Sequence, residues 1–188
     1  MASVLIPLAP GFEDLEAVTL SDLLRRAGIE VVVAGLQRGV IQGRRGIRIE
    51  PDAFLDDVLT REFDLIALPG GLPGAEHLRD DLRIQTLLKR MAAAGRYTTA
   101  ICAAPMALAQ AGLLDGKQAT AYPGVLASLK LDSTQSLNDA VVVDGKVVTS
   151  QGPGTAMDFA LTLIELLVGG ALRKQVEAGL VRSVHKSQ

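Results

Sequence analysis

The sequence contains no tryptophan, one cysteine, two histidines and only six aromatic residues, four Phe and two Tyr, among its 188 residues. The lone Cys102 excludes an intramolecular disulfide framework, and with only His77 and His185 beside it a zinc cluster of nitrogen and sulfur ligands has too few donors. A reducing, cytoplasmic setting follows as the expectation. The scarcity of aromatics removes a stacking platform for single-stranded nucleic acid. Nor is there an excess of charge of one sign: 19 Lys plus Arg against 21 Asp plus Glu give a net charge of −2, which offers nucleic acid or an anionic membrane no attractive field. Long apolar runs are missing too. Phe159 to Val168 is roughly half the ~20 residues a bilayer span needs and carries Glu165. The N-terminal run Val4 to Pro10 has no basic flank, is broken by Pro7 and Pro10, and meets Glu13, Asp14 and Glu16 directly, so it reads as a strand and not a signal peptide.

What is present is a 48% hydrophobic content that is almost wholly aliphatic, in a length suited to one domain spanning 1–188. Strand-like and helix-like patterns alternate along it. Ser3 to Ala9, Glu30 to Leu36, Phe63 to Leu68, Tyr97 to Cys102 and Val147 to Ser150 are short, β-branched or aliphatic runs suited to strands covered on both faces. Between them, Leu15 to Ala27 ends in Arg25, Arg26 and Gly28, and Leu82 to Ala94 ends at Gly95, the basic last turn and glycine stop of a helix. Val40 to Ile49 and Val141 to Val148 interrupt the alternation as hairpins expected at a sheet edge. The order predicts an α/β fold: a flavodoxin-like three-layer sandwich around a mostly parallel, doubly wound sheet, whose sites lie beyond the carboxyl ends of the strands.

Three of those ends carry unusual sequence: residues 10–16 (PGFEDLE), 69–74 (PGGLPG) and 101–105 (ICAAP). Strand pattern runs to Ile101 and helix pattern starts at Ala103 with no loop between, so Cys102 falls on an abrupt strand-to-helix turn; Pro105 suits the first helical turn, where no donor is needed. Free cysteine is commonly a small buried hydrophobe, but a thiol at such an elbow stands beside free helix amides, which would lower its pKa and make it a nucleophile. Glu16 has two readings. It favours a helix N-terminus, as Glu13 and Asp14 also would. It also continues the apolar stripe of Leu20, Leu23 and Ala27, which would aim its carboxyl inward, raise its pKa by burial and let it donate a hydrogen bond to a thiolate.

Other motifs carry less chemistry. The glycine run lacks Walker or dinucleotide-binding spacing and is first a sharp turn, although it could aim an amide into the pocket and, with the Ala103 amide, form an oxyanion hole. Thr155 and Asp158 have capping-box spacing after Gly152-Pro153-Gly154. His77, His185 and the Arg44-Arg45 pair read as solvated side chains.

The strings PGFEDLEA, RRAGIEVVVAGL, DLIALPGGLPGA, AICAAP and TSQGPGTAMDFAL resemble the ThiJ/PfpI superfamily, in the branch that holds a Parkinsonism-associated deglycase and a bacterial chaperone. The resemblance extends from the first strand to about Leu180. It maps the family's cysteine to Cys102, its protonated glutamate to Glu16 and its oxyanion-type amides to Gly71 and Ala103. It implies a homodimer and cofactor-free action on a small dicarbonyl such as methylglyoxal, or on early glycation adducts. A redox-sensing chaperone whose cysteine forms a sulfinate is the alternative, and the family name carries an older link to thiazole monophosphate biosynthesis. Where many members have His before Pro, this chain has Tyr122-Pro123, which rules out a Cys–His dyad there and leaves Tyr122 to orient substrate. Ala103 follows the cysteine where peptidase-like members have His, so peptidase activity is not expected.

Overall fold

The computed structural model describes residues 1–182. In chain order the elements are β1 (Ser3–Leu8), α1 (Asp14–Arg26), β2 (Glu30–Gly35), β3 (Ile41–Gln42), β4 (Arg48–Ile49), β5 (Ala53–Phe54), α2 (Leu55–Val58), β6 (Leu65–Leu68), α3 (Gly74–Asp80), α4 (Leu82–Ala93), β7 (Tyr97–Ile101) and α5 (Pro105–Gln110). There follow β8 (Gln118–Ala119), α6 (Val125–Ser128), β9 (Gln135–Ser136), β10 (Val141–Asp144), β11 (Val147–Ser150), a 3-10 turn (Pro153–Thr155), α7 (Ala156–Val168) and α8 (Gly170–Gly179).

The central sheet has the order β10-β11-β7-β6-β1-β2-β5, parallel throughout except for the β10–β11 pair. From β1 the chain steps to β2 on one side; from β6 it steps to β7 on the other. Right-handed crossovers in opposite directions place their helices on opposite faces, so α1 covers one face and α3 and α4 the other. α1 packs with α7 on its face, and α3 packs with α5 on the second. The core between these layers is aliphatic: Leu5, Ile6, Leu8, Leu65, Ile66 and Leu68 from the sheet, Leu20 and Leu24 from α1, with Phe12 and Phe159 the largest buried side chains.

Helix ends follow the sequence closely, because each is set by local chemistry. Gly28 and Gly95 take φ of +70° and +69° just past α1 and α4, the left-handed stop that glycine adopts without a Cβ penalty. Asp81 caps α4 by accepting from the amides of Arg83, at 2.8 Å, and Ile84. The hairpins divide. Residues 141–150 form the antiparallel edge pair expected, whereas β3 and β4 pair only with each other in a separate two-stranded sheet. The β3–β4 hairpin is held by α1 instead of the sheet: the buried Asp14 carboxylate accepts from the amides of Arg45 and Ile47, each at 2.8 Å, and the Arg44 amide donates to Phe12 O. A charged clamp of this kind depends on the folded neighbourhood, and hairpin signals alone do not show it.

The capping box expected from Thr155 and Asp158 does not form. Thr155 Oγ1 turns back to Gly152, accepting from its amide at 3.1 Å and lying 2.7 Å from Ser150 Oγ, while Asp158 pairs with Arg182 at 2.6 Å. The local 3-10 turn points the hydroxyl away from the α7 amides.

Candidate functional site

The reversal of strand order between β1 and β6 opens a crevice at their carboxyl ends, where α/β sheets of this kind bind ligands. Glu16 enters it from the first turn of α1, Gly70 and Gly71 from the loop after β6, and Cys102 from the end of β7. Parallel pairing of β11 with β7, Ser150 opposite Ile101, brings Gly152 to the far side of Cys102.

Cys102 is the elbow that the sequence implies. Its φ is +64°, a left-handed conformation that an L-residue other than glycine, Asn or Asp seldom adopts, at a cost on the order of 1–3 kcal/mol. The surroundings hold it there: its amide donates to Ser150 O at 2.9 Å, its carbonyl accepts from the Tyr122 amide at 2.9 Å, and Pro105 begins α5 as its first residue. The residue as a whole is 8% exposed.

Glu16 points inward and is fully buried, on the same face of α1 as Leu20 and Leu23. Its Oε2 accepts from the Gly70 amide at 2.7 Å. Oε1 is buried with no hydrogen-bond partner of good geometry; the neighbouring group able to share its proton is the Cys102 thiol. Only glycine fits at position 70, since a Cβ there would stand 2.7 Å from Cys102 Cβ and 2.9 Å from Glu16 Oε2. Gly71 combines a φ of +87° with a Cβ direction that runs into the Glu13 amide and to 2.6 Å from Gly11 O.

The electrostatics correct one expectation. Burial pushes the Glu16 carboxyl up to about 7, against the lowering effect of the Gly70 amide and the Cys102 thiol; the Glu13 charge adds to the rise. For Cys102, burial comes first, then the charge of an ionised Glu16 and its hydrogen bond; together they push the thiol up to about 12. The Gly71 and Ala103 amides lower it, as anticipated, but they are outweighed. The elbow amides alone therefore do not give a low thiol pKa. The two acids titrate as one coupled pair: a thiolate at neutral pH requires that Glu16 keep its proton, which removes both Glu16 contributions to the rise. Burial delays the first proton of the pair to about 7, and the second is held far more strongly.

Cys102, Glu16, Gly71 and Ala103 come together at one crevice, where the Gly71 and Ala103 amides favour the ionised form of the thiol. Tyr122 is 53% exposed and flanks that crevice through Gly152, and its hydroxyl has no hydrogen bond among the described residues. His77 lies exposed on α3; His185 falls outside the described residues. Arg44 and Arg45 are exposed on the hairpin turn. Among the described residues no group of three His, Cys, Asp or Glu side chains could hold a metal ion, and no helix is long and apolar enough to cross a membrane. Sequence reasoning did not single out Gly70, Ser150 or Gly152. Gly70 lay within a run already read as a turn, and the other two reach the site only through the β11–β7 register.

A family model described as DJ-1/PfpI matches residues 2–166. The chain belongs to the DJ-1/PfpI family. Among curated relatives, it is 42% identical over 181 residues to protein DJ-1 homolog A of Arabidopsis thaliana, a match covering 95% of this chain and 46% of that protein. It thus spans less than half the length of that plant relative. Protein dj-1beta of Drosophila melanogaster is 41% identical over 180 residues, covering 95% and 96% of the two chains. A glutathione-independent glyoxalase, DJR-1.2 of Caenorhabditis elegans, is 38% identical over 168 residues, with 89% of each covered. The crystal structure of the Drosophila DJ-1beta superposes with a TM-score of 0.93 at 39% identity, over 97% of this chain and 99% of that one. Oxidized DJ-1 of Toxoplasma gondii gives 0.93 at 39% identity, covering 98% and 100%. This agreement bears out the flavodoxin-like α/β fold and the family resemblance.

Proposed function

We propose that the chain is a cofactor-free, DJ-1-type glyoxalase or deglycase, working as one ThiJ/PfpI-type domain on a small dicarbonyl such as methylglyoxal or on early glycation adducts. The observation that carries this reading is the fully buried Glu16 carboxyl held by the Gly70 amide in the crevice of Cys102, each group shifting the titration of the other; the glyoxalase named among its relatives supports it. In this reading the Cys102 thiolate adds to the aldehyde carbon, and the carbonyl π pair becomes an alkoxide within reach of the Gly71 and Ala103 amides. Glu16 supplies its proton to oxygen, and as a carboxylate takes the proton from the former aldehyde carbon, giving an enediolate, and returns it to the neighbouring carbon, while the hydroxyl proton on the sulfur-bearing carbon passes to the former ketone oxygen as the thioester C=O forms. A 2-hydroxyacyl thioester results. Water then releases the acid and the thiol, so methylglyoxal plus water gives lactate with no external oxidant or reductant. Tyr122 orients the substrate at the mouth. The test is lactate formation from methylglyoxal by the purified chain with no thiol or metal added; absence of lactate would overturn the reading.

A second reading, a redox-responsive chaperone, is favoured by one feature: the sulfur faces a carboxyl that can keep its proton, and a protonated Glu16 would donate to a sulfinate oxygen. Nothing in the site favours a role in thiazole phosphate synthesis.

The cytoplasm is the proposed location, on the strength of the single reduced cysteine. A homodimer is supported by apolar side chains left exposed together: Leu15 and Val18, three apart on the outer side of α1, and Val40 and Ile47 on the hairpin clamped to it. A monomer mass in sedimentation at micromolar concentration would contradict this.

A further inference from the structure

The sheet order places Glu16 and Gly70 on one side of Cys102 and Gly152 on the other. A Cβ built on Gly152 would stand 4.0 Å from Cys102 Sγ and 3.4 Å from Cδ2 of Tyr122. Those are ordinary van der Waals distances, so a methyl group fits without moving either neighbour, yet it would touch the sulfur and leave no room for a carbon between them. The backbone does not call for glycine: φ at Gly152 is 167°, extended chain that any residue adopts. The segment is also fixed in place. Thr155 Oγ1 holds both the amide and the carbonyl of Gly152, and Ser150 Oγ, 2.7 Å from that hydroxyl, bonds to Ala140 O. What glycine supplies here is therefore empty space of fixed shape, bounded by the nucleophilic sulfur and an aromatic ring.

We propose that the space left by the missing side chain of Gly152 takes the ketone-side substituent of a 1,2-dicarbonyl bound at Cys102, so that Gly152 and Tyr122 set the size of substrate accepted. This rests on the glyoxalase reading above. It makes Gly152 a specificity-determining residue: when the thiolate bonds to the aldehyde carbon, the substituent on the neighbouring ketone carbon projects beside the sulfur, and a methyl group at residue 152 would occupy the volume it needs. One methylene's worth of space in an apolar pocket commonly separates substrates by about 10-fold or more.

The experiment compares wild type with Gly152→Ala, using glyoxal, methylglyoxal and phenylglyoxal as substrates. In parallel it follows the rates at which iodoacetamide and the bulkier N-phenylmaleimide alkylate Cys102. The expected result is a kcat/KM for glyoxal within about 3-fold of wild type, with methylglyoxal falling about 10-fold or more and phenylglyoxal further. Alkylation should likewise slow about 10-fold for the maleimide and little for iodoacetamide. Tyr122→Ala, which removes the other wall, should raise phenylglyoxal turnover relative to methylglyoxal. Equal losses for glyoxal and methylglyoxal, or no loss for either, would overturn the proposal. Should wild type turn over none of the three, the glyoxalase reading fails, and the alkylation series by itself decides whether Gly152 gates access to the sulfur.

Discussion

Glu16→Gln is expected to make the protein more stable at pH 8 and nearly inactive. The fully buried carboxyl is raised from 4.5 to about 7, mainly by burial. A group whose folded pKa is raised contributes its full stability below the unfolded value, here about 4.5, and loses it as pH rises through the folded value near 7. Above that window the pair has lost one proton, and the negative charge left buried between Glu16 and Cys102 is a burden on the order of 3 kcal/mol. Glutamine keeps an oxygen for the Gly70 amide and replaces the charge by a neutral amide. The melting temperature at pH 8 should therefore rise by several degrees, while the two proteins should melt together near pH 4. Turnover of methylglyoxal should fall about 10²- to 10⁴-fold, since the amide cannot carry a proton between carbon and oxygen. A variant that melts lower than wild type at pH 8, or that retains full turnover, would contradict the coupled pair.

Cys102→Ser is expected to abolish turnover, with a loss of roughly 10³-fold or more, because an alcohol beside a carboxylic acid is not ionised near neutral pH. The same substitution separates the two uses of the sulfur. With mild peroxide, each step breaks an O–O bond, places one oxygen on sulfur and releases water, first to sulfenate and then to sulfinate. Peptide mapping of wild type should find two added oxygens at Cys102 ahead of most methionines; intact mass alone is ambiguous, since the four methionines compete. Client protection that requires this oxidation, together with no lactate from the reduced protein, would select the chaperone reading. A cysteine peptide that stays reduced while methionines oxidise would mark Cys102 as an inert buried thiol.

How far each residue was legible in the sequence depended on the range of the interaction that fixes it. Cys102 was legible because a strand pattern met a helix pattern with no loop, and a positive φ at the junction follows from that crowding. Glu16 was legible because a 3.6-residue period fixes which face of α1 is buried. The helix stops at Gly28 and Gly95 were local as well. Properties that depend on residues far apart in the chain were not accessible. The direction of the Cys102 shift turns on how deeply two side chains from different strand ends are buried together. The Asp14 clamp on residues 45 and 47 detaches the first hairpin from the sheet edge. Gly152 joins the site only because β11 lies beside β7. In each case the residue type was visible and its neighbour was not.

The coupled pair is tested most directly by thiolate ultraviolet absorbance against pH, recorded on wild type and on Cys102→Ser as the baseline. A pair in which Glu16 keeps its proton predicts that thiolate absorbance appears well under the free-cysteine value of about 8.5. Absorbance that first rises far above 8.5, toward the value near 12 held by a thiol beside an ionised Glu16, would contradict it.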